Sequence, residues 1–208
     1  GYNEFKLGRV YFTYKQKLSE FTSYTFQTDM DPSSSPKSVY LKNAKLDWKS
    51  PLGKISFGLQ GMNVFNVTEK TWGHRFLEKS AMDKNGFASS ADMGVGYYGV
   101  FRRIQISTLI TNGNGYKNNE TDKFKKISTQ FVYGEKNLSK TNGYNVGNSF
   151  TIESLDASTT DVKDIKSVSV ISFFGGYSNN SLRIGGEFDF KLDKSLDKIS
   201  QIMAFYTT

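Results

Sequence analysis

Hydrophobic and polar residues alternate along most of the chain. Between Leu182 and Leu192, Leu182, Ile184, Gly186, Phe188, Phe190 and Leu192 share one parity, and Arg183, Gly185, Glu187, Asp189 and Lys191 share the other. A period of two puts one set on each face of a β-strand, so one face is apolar or glycine and the other is mostly charged. The stretch 7–16 behaves likewise, with Val10, Phe12 and Tyr14 opposing Arg9, Tyr11, Thr13 and Lys15. The same pattern predicts strands over 20–29, with Tyr24 and Phe26 outward, and over 39–49, with Tyr40, Ala44, Leu46 and Trp48 on one face. Further strands are predicted over 54–60, 93–101, 104–111, 123–133, 144–153, 165–177 and 198–206, making about eleven in all.

The connections alternate as well. Those at 15–19, 50–53 (SPLG), 101–103 and 178–181 (SNNS) are tight, whereas 30–38, 61–92, 112–122 and 155–164 are long and polar. Short turns on one side and long loops on the other are the mark of an antiparallel barrel that crosses a membrane. The strands run to about 9–12 residues, the length of a tilted crossing rather than of an ordinary soluble strand. The fold class expected is therefore all-β, an up-and-down transmembrane β-barrel forming a single domain over 1–208, with a constriction-type loop at about 61–92. Rings near strand ends (Tyr14, Tyr40, Trp48, Phe101 and Tyr177) suit the aromatic girdles of such a barrel. A soluble β-sandwich alternates too, and stays open as the competing fold.

Composition narrows the chemistry. Of 208 residues 37% are hydrophobic, yet 17 Phe and 12 Tyr concentrate that surface in large rings. No run of about 20 apolar residues is present, which excludes a membrane-crossing helix but not a barrel. Without cysteine there is no disulfide or thiolate metal site, and with one histidine no multi-histidine zinc site. No metal or cofactor is expected. The net charge of +7 fits an anionic surface, a nucleic acid or an anion-attracting pore. The basic residues are spread over strands and loops and form no interleaved nucleic-acid patch, so no nucleic-acid partner is expected.

Three segments invite chemical readings. GVGYYG (94–99) matches a dinucleotide fingerprint, but the residues after it read as turn and strand, not helix. Gly94 and Gly96 instead mark a strand face that another backbone approaches closely. DASTTDVKD (156–164) lacks the spacing and glycine of a calcium loop and reads as a solvated tip. NVTEKTWGHRFLEKS (66–80) has helical character: Asn66 as cap, Glu69 as capping-box partner, and i, i+4 pairs Trp72–Phe76 and His74–Glu78, with Arg75 and Lys79 on another face. Gly73 weakens that helix by about 1 kcal/mol. No nucleophile stands beside His74, so no enzyme is expected.

In order along the chain, LGRVYFTYKQKLSE (7–20), YLKNAKLDWKSPLGKISFGLQ (40–60), TWGHRFLEK (71–79), ADMGVGYYGVF (91–101) and TNGNGY (111–116) resemble bacterial outer-membrane porins. The likeness is to the broad group that includes the phosphate-selective porins O and P; it covers about the first 116 residues, with IGGEFDF (184–190) similar to a late barrel strand. The resemblance implies a bacterial outer-membrane barrel, often a homotrimer, surrounded by outer-membrane lipid and passing small hydrophilic solutes or anions. It also implies a loop folded into the lumen at TWGHRFLEK. Glu69, His74, Arg75, Glu78 and Lys79 would then form the constriction, with Trp72 and Phe76 anchoring it. Arg9, Lys15, Asp29, Arg183, Glu187 and Asp189 would face the lumen, a mixture of signs without the basic ladder of a dedicated phosphate channel. The chain ends Tyr206, Thr207, Thr208 without the terminal aromatic usual in the group, which reads as an incomplete chain. The function expected is passive diffusion with weak anion preference. A non-conducting barrel serving as anchor, and a soluble carbohydrate-binding sandwich, are the alternatives.

Overall fold

The computed structural model describes residues 3, 5, 7, 9–120, 123–156 and 165–208. The loop read as a solvated tip at 156–164 falls, but for its first residue, outside them. Eleven strands follow one another: β1 (Phe12–Lys17), β2 (Thr22–Asp31), β3 (Ser38–Ser50), β4 (Gly53–Gly61), β5 (Ala91–Phe101), β6 (Ile104–Thr111), β7 (Lys126–Gly134), β8 (Gly143–Asp156), β9 (Ile165–Ser178), β10 (Arg183–Asp193) and β11 (Lys198–Thr207). Each pairs antiparallel with its neighbours in sequence, giving one 11-stranded sheet in meander order. The outer strands β1 and β11 are not paired with each other, so the sheet is open, as an incomplete barrel would be. Two short helices, α1 (Asn66–Trp72) and α2 (Ala81–Lys84), interrupt the connection from β4 to β5.

The two predicted parities separate as expected, but with polarity reversed relative to a soluble protein. Buried positions include Ser56, Gln60, Ser107, Ser128, Gln130, Ser149, Ser172, Glu187 and Asp189, while Phe57, Val95, Ile110, Phe131, Val146, Phe173, Ile184 and Met203 are exposed. Along β10, Ile184, Phe188 and Leu192 are exposed and Glu187 and Asp189 buried. Water would penalise such an outer face heavily, since each large apolar side chain gains about 1.5–3 kcal/mol by leaving it. Hydrocarbon would not. Among the described residues no second sheet covers the apolar face, which removes the soluble sandwich.

The outward rings form a belt at one end. Trp48, Tyr97, Phe101, Tyr133, Tyr144 and Tyr177 are exposed, and each stands near a short turn. Tyr97 donates its hydroxyl to the Leu52 carbonyl in the turn, 2.6 Å away, and the Tyr133 and Tyr144 rings lie 6.0 Å apart. From Tyr144 to Ile152 on β8, the outward residues extend about 26 Å along the strand at about 3.3 Å per residue. At the 35–45° strand tilt of an outer-membrane barrel that run covers about 18–21 Å of an apolar band about 25 Å tall.

Two departures from simple alternation matter. The ladder of β1 starts at Phe12, opposite Thr28, so Arg9 and Val10 precede the strand instead of belonging to it. On β3, Gln27 pairs with Asn43 but Thr28 pairs with Leu41, leaving Lys42 as a bulge. The extra residue inverts parity beyond it. Tyr40 therefore turns inward to donate its hydroxyl to Asp29, 3.0 Å away, and is not a girdle residue.

Candidate pore lining and constriction loop

The connection from β4 to β5 folds against the inner, polar face of the sheet. Its first hold is Asn63, which is 1% exposed. The Asn63 amide donates to the Ser107 carbonyl and hydroxyl, both at 3.0 Å, and its side-chain oxygen accepts from the Ser128 hydroxyl at 2.7 Å. The Gln130 amide donates to the Asn63 carbonyl. Further along, Asn145 on β8 donates to the Thr71 hydroxyl at 3.4 Å. Apolar contacts fill the space between these polar holds. Met62, Val64, Phe65 and Met82 meet Leu109 and Val170 of the wall, and Val67 meets Val132 and Phe174. Asn63 was not singled out in the sequence; its signal there is only a lone amide among apolar residues in a loop, which does not distinguish it.

Within the loop, α1 ends at Trp72 because Gly73 takes the left-handed conformation with φ of 73°, and its N–H donates to the Glu69 carbonyl at 2.9 Å. The glycine thus terminates the helix rather than weakening its middle. A Cβ there would lie 2.8 Å from Ser139 Cβ and 2.9 Å from Arg183 Nη2. Asn66 is the first helical residue and not the cap, and no side chain caps the helix. The expected i, i+4 pairs do not form, since the chain leaves the helix before Phe76 and Glu78.

The residues of 69–79 split accordingly. Trp72 packs its ring 5.7 Å from that of Tyr206 on β11 and donates its indole N–H to the Glu78 carbonyl at 2.9 Å. Phe76, expected as a second anchor, is 81% exposed, with its ring edge-on to that of His74 at 5.7 Å. Arg183 reaches from β10 to donate to the Trp72 carbonyl at 3.1 Å and lies 2.9 Å from His74 Nε2. A guanidinium only donates, so that ring nitrogen accepts, and His74 serves to seat the loop on the wall. Arg75 pairs with Glu69 and, at 3.0 Å, with Asp83; Lys79 lies 3.8 Å from Asp83. Glu78 pairs with Lys84 at 3.0 Å on the surface, where the Lys84 ammonium and the Lys79 N–H hold its carboxyl below the usual range.

The residues expected in the lumen occupy different settings. Glu187 and Asp189 are sealed beneath the loop, and the Tyr206 hydroxyl donates to Glu187. Arg183 is taken up by the loop. Asp29 is buried, with Arg9 3.6 Å away. Lys15 is exposed and shares its inner face with Thr25 of β2.

The loop packs against the inner face of β6 to β11, whereas the basic side chains of β1 and β3 and Lys54 at the start of β4 stay partly or fully exposed; further along β4, Ser56 and Gln60 are buried. On this uncovered wall register and side-chain contacts bring together Lys15, Lys17, Lys42, Lys45, Lys49 and Lys54 with Arg9, against Asp29 and Asp47. Asp47 is shared by Lys45 at 3.2 Å and Lys54 at 3.4 Å. A basic wall is therefore present where none was expected from the sequence. Its members are scattered over three strands, and Lys42 reaches it only through the bulge. The close approach expected at the glycine face is by a neighbouring strand: a Cβ on Gly94 would clash with the Ile110 carbonyl of β6, and one on Gly96 would sit 2.8 Å from the Gln60 amide oxygen.

No family model and no curated protein sequence matches the chain. Among solved structures, it is similar to OmpT, an outer membrane protein of Vibrio cholerae, in a loop L8 deletion form, with a TM-score of 0.43 and 12% identity over 96% of this chain and 78% of that one. In-vitro folded OmpT in a trimer form gives the same TM-score and identity, over 96% of this chain and 74% of that one. At this distance neither structure says what the chain does, and neither bears on the likeness to the porins O and P.

Proposed function

We propose that the chain forms part of a bacterial outer-membrane porin, a water-filled channel through which small hydrophilic solutes diffuse, with a preference for anions. The observation that carries this reading is the asymmetry of the interior: the loop packs on the wall of β6 to β11 and leaves the basic side chains of β1, β3 and the start of β4 open to water. Lumen charges of one sign raise the local concentration of counter-ions and so bias permeation. Solute would pass between that wall and the outer side of the loop, with Arg75 and Lys79 facing it but tempered by Glu69 and Asp83. In this role the protein performs no covalent chemistry. The resemblance to the phosphate-selective porins O and P supports a channel without naming its solute.

The test is conductance of the purified protein in a planar bilayer, with reversal potentials under a potassium chloride gradient. Stable current steps with a reversal potential on the chloride side are expected. Folded, inserted protein that passes no current would favour the second reading, a barrel that anchors a partner, for which the apolar packing of the loop inside the sheet is the supporting observation.

A further inference from the structure

Where the uncovered wall meets the long loops, two cavities of about 420 and 580 Å³ adjoin, and Tyr40, Tyr116 and Lys117 line both. The smaller is lined by five cations, Arg9, Lys42, Arg75, Lys79 and Lys117, against two carboxylates, Asp29 and Asp83, an excess of three positive charges, whereas the larger is lined by Asp31, Asp92 and Glu120 with Lys117 as its one cation, so the positive charge is confined to the smaller. These cations come from four separate parts of the chain: the segment before β1, the β3 bulge, the 61–92 loop and the 112–125 loop. Lys42 is fixed by the Ser90 hydroxyl at 2.7 Å and lies 3.6 Å from the centre of the Tyr116 ring. Lys117 lies 5.0 Å from the Tyr40 ring centre, and the two tyrosine rings are 5.8 Å apart. Among the described residues, neither Lys42 nor Lys117 reaches a carboxylate at ion-pair distance. Burial works to raise the Tyr116 phenol, but the two ammonium groups outweigh it and hold it below its ordinary range.

Cation–π contacts keep both ammonium groups in place while leaving their positive charge uncancelled, which is what an anion site needs. The size argues for more than a bare ion. Inorganic phosphate or chloride would occupy a small part of this space, whereas cavities of this size hold small organic molecules.

We propose that this recess binds a small organic anion carrying two or more negative charges, with its acidic groups between Arg9, Lys42 and Lys117 and its uncharged body in the larger cavity. The proposal rests on the channel reading for its role, as the place where such a solute is captured before crossing, but the binding itself does not depend on current flowing.

The probe is citrate, titrated calorimetrically into the full chain in detergent at low salt, with acetate and inorganic phosphate as comparisons. Saturable one-site binding is expected for citrate, weaker for phosphate and absent for acetate. Lys42→Gln and Lys117→Gln should each weaken citrate about tenfold to a hundredfold, the loss expected for one charge-assisted contact. Lys198→Gln, remote on β11, should not. Far-ultraviolet circular dichroism establishes that each variant is folded. No saturable citrate binding, or binding that neither Lys42→Gln nor Lys117→Gln weakens, overturns the site. Anion-selective current without citrate binding would remove the site and leave the channel. Citrate binding without current would leave the site and remove the channel.

Discussion

Asn63→Ala strikes the point where the loop is pinned to the wall. The alanine loses the donation to Ser107, at 3.0 Å to both its carbonyl and hydroxyl, and the acceptance from the Ser128 hydroxyl at 2.7 Å. Two net hydrogen bonds are worth about 1–3 kcal/mol together, and the buried groups left behind at Ser107 and Ser128 add to that, giving about 2–4 kcal/mol. The Gln130 contact survives because it goes to the backbone of residue 63. Spread over the equilibrium between a docked and a released loop, that loss is about 30-fold to 900-fold in favour of release. Amide hydrogen exchange read by mass spectrometry should therefore quicken about 30-fold or more over residues 62–72. Single-channel conductance should rise in the same variant, because the segment that narrows the lumen would spend time away from the wall. Exchange and conductance both equal to those of the unaltered protein would refute the idea that these polar contacts hold the loop.

Three further outcomes follow. Lys45→Gln and Lys54→Gln should each lower the anion-to-cation permeability ratio about twofold to sixfold, since a unit charge about 8 Å from a passing ion in water is worth about 0.5 kcal/mol, in favour of the anion and against the cation, before salt screens it; reversal potentials measure this, and an unchanged ratio in the double variant removes the basic wall from the conduction path. Gly73→Ala should destabilise the folded protein by about 1–2 kcal/mol in denaturant titration, because φ of 73° strains an alanine and its Cβ meets Ser139 and Arg183. Burial, with Lys70 and Lys54 nearby, depresses the Lys136 ammonium in the turn between β7 and β8, so below its ordinary range the unfolded chain binds a proton that the folded chain resists. Stability should then rise with pH between that lowered value and about 10.4, and Lys136→Gln should flatten this part of the thermal unfolding profile.

Most of the architecture could be read from the alternation. The predicted strand at 104–111 coincides with β6, and the one at 182–192 differs from β10 by a residue at each end. Short turns and long loops alternate as expected as far as β7, but beyond it the connection at 135–142 is as long as that at 157–164, and that at 194–197 is as short as that at 179–182. Periodicity failed where a single residue broke it. Strict alternation puts Tyr40 with Leu46 and Trp48, and only the pairing of Gln27 and Thr28 across β2 and β3 exposes the bulge that turns Tyr40 and Lys42 inward. The loop was legible as a polar cluster of mixed charge, but not as a structure. Its cations look available in sequence, whereas in space Arg75 lies between Glu69 and Asp83. Contacts such as Asn63 with Ser128, or Lys42 with Ser90, join residues far apart in the chain and leave no local signature.

The central claim is that one face of this sheet meets lipid and the other meets the water of a conducting pore. The chain has no cysteine, so single cysteines can be placed without background. Lys45→Cys and Leu46→Cys stand side by side on β3 and face opposite ways. In open channels, a charged, membrane-impermeant thiol reagent should modify residue 45 and change the current while leaving residue 46 untouched, and a lipid-soluble quencher should reach a label at 46 but not at 45. Equal modification of both positions by the charged reagent, or a current indifferent to modification at 45, would contradict the account.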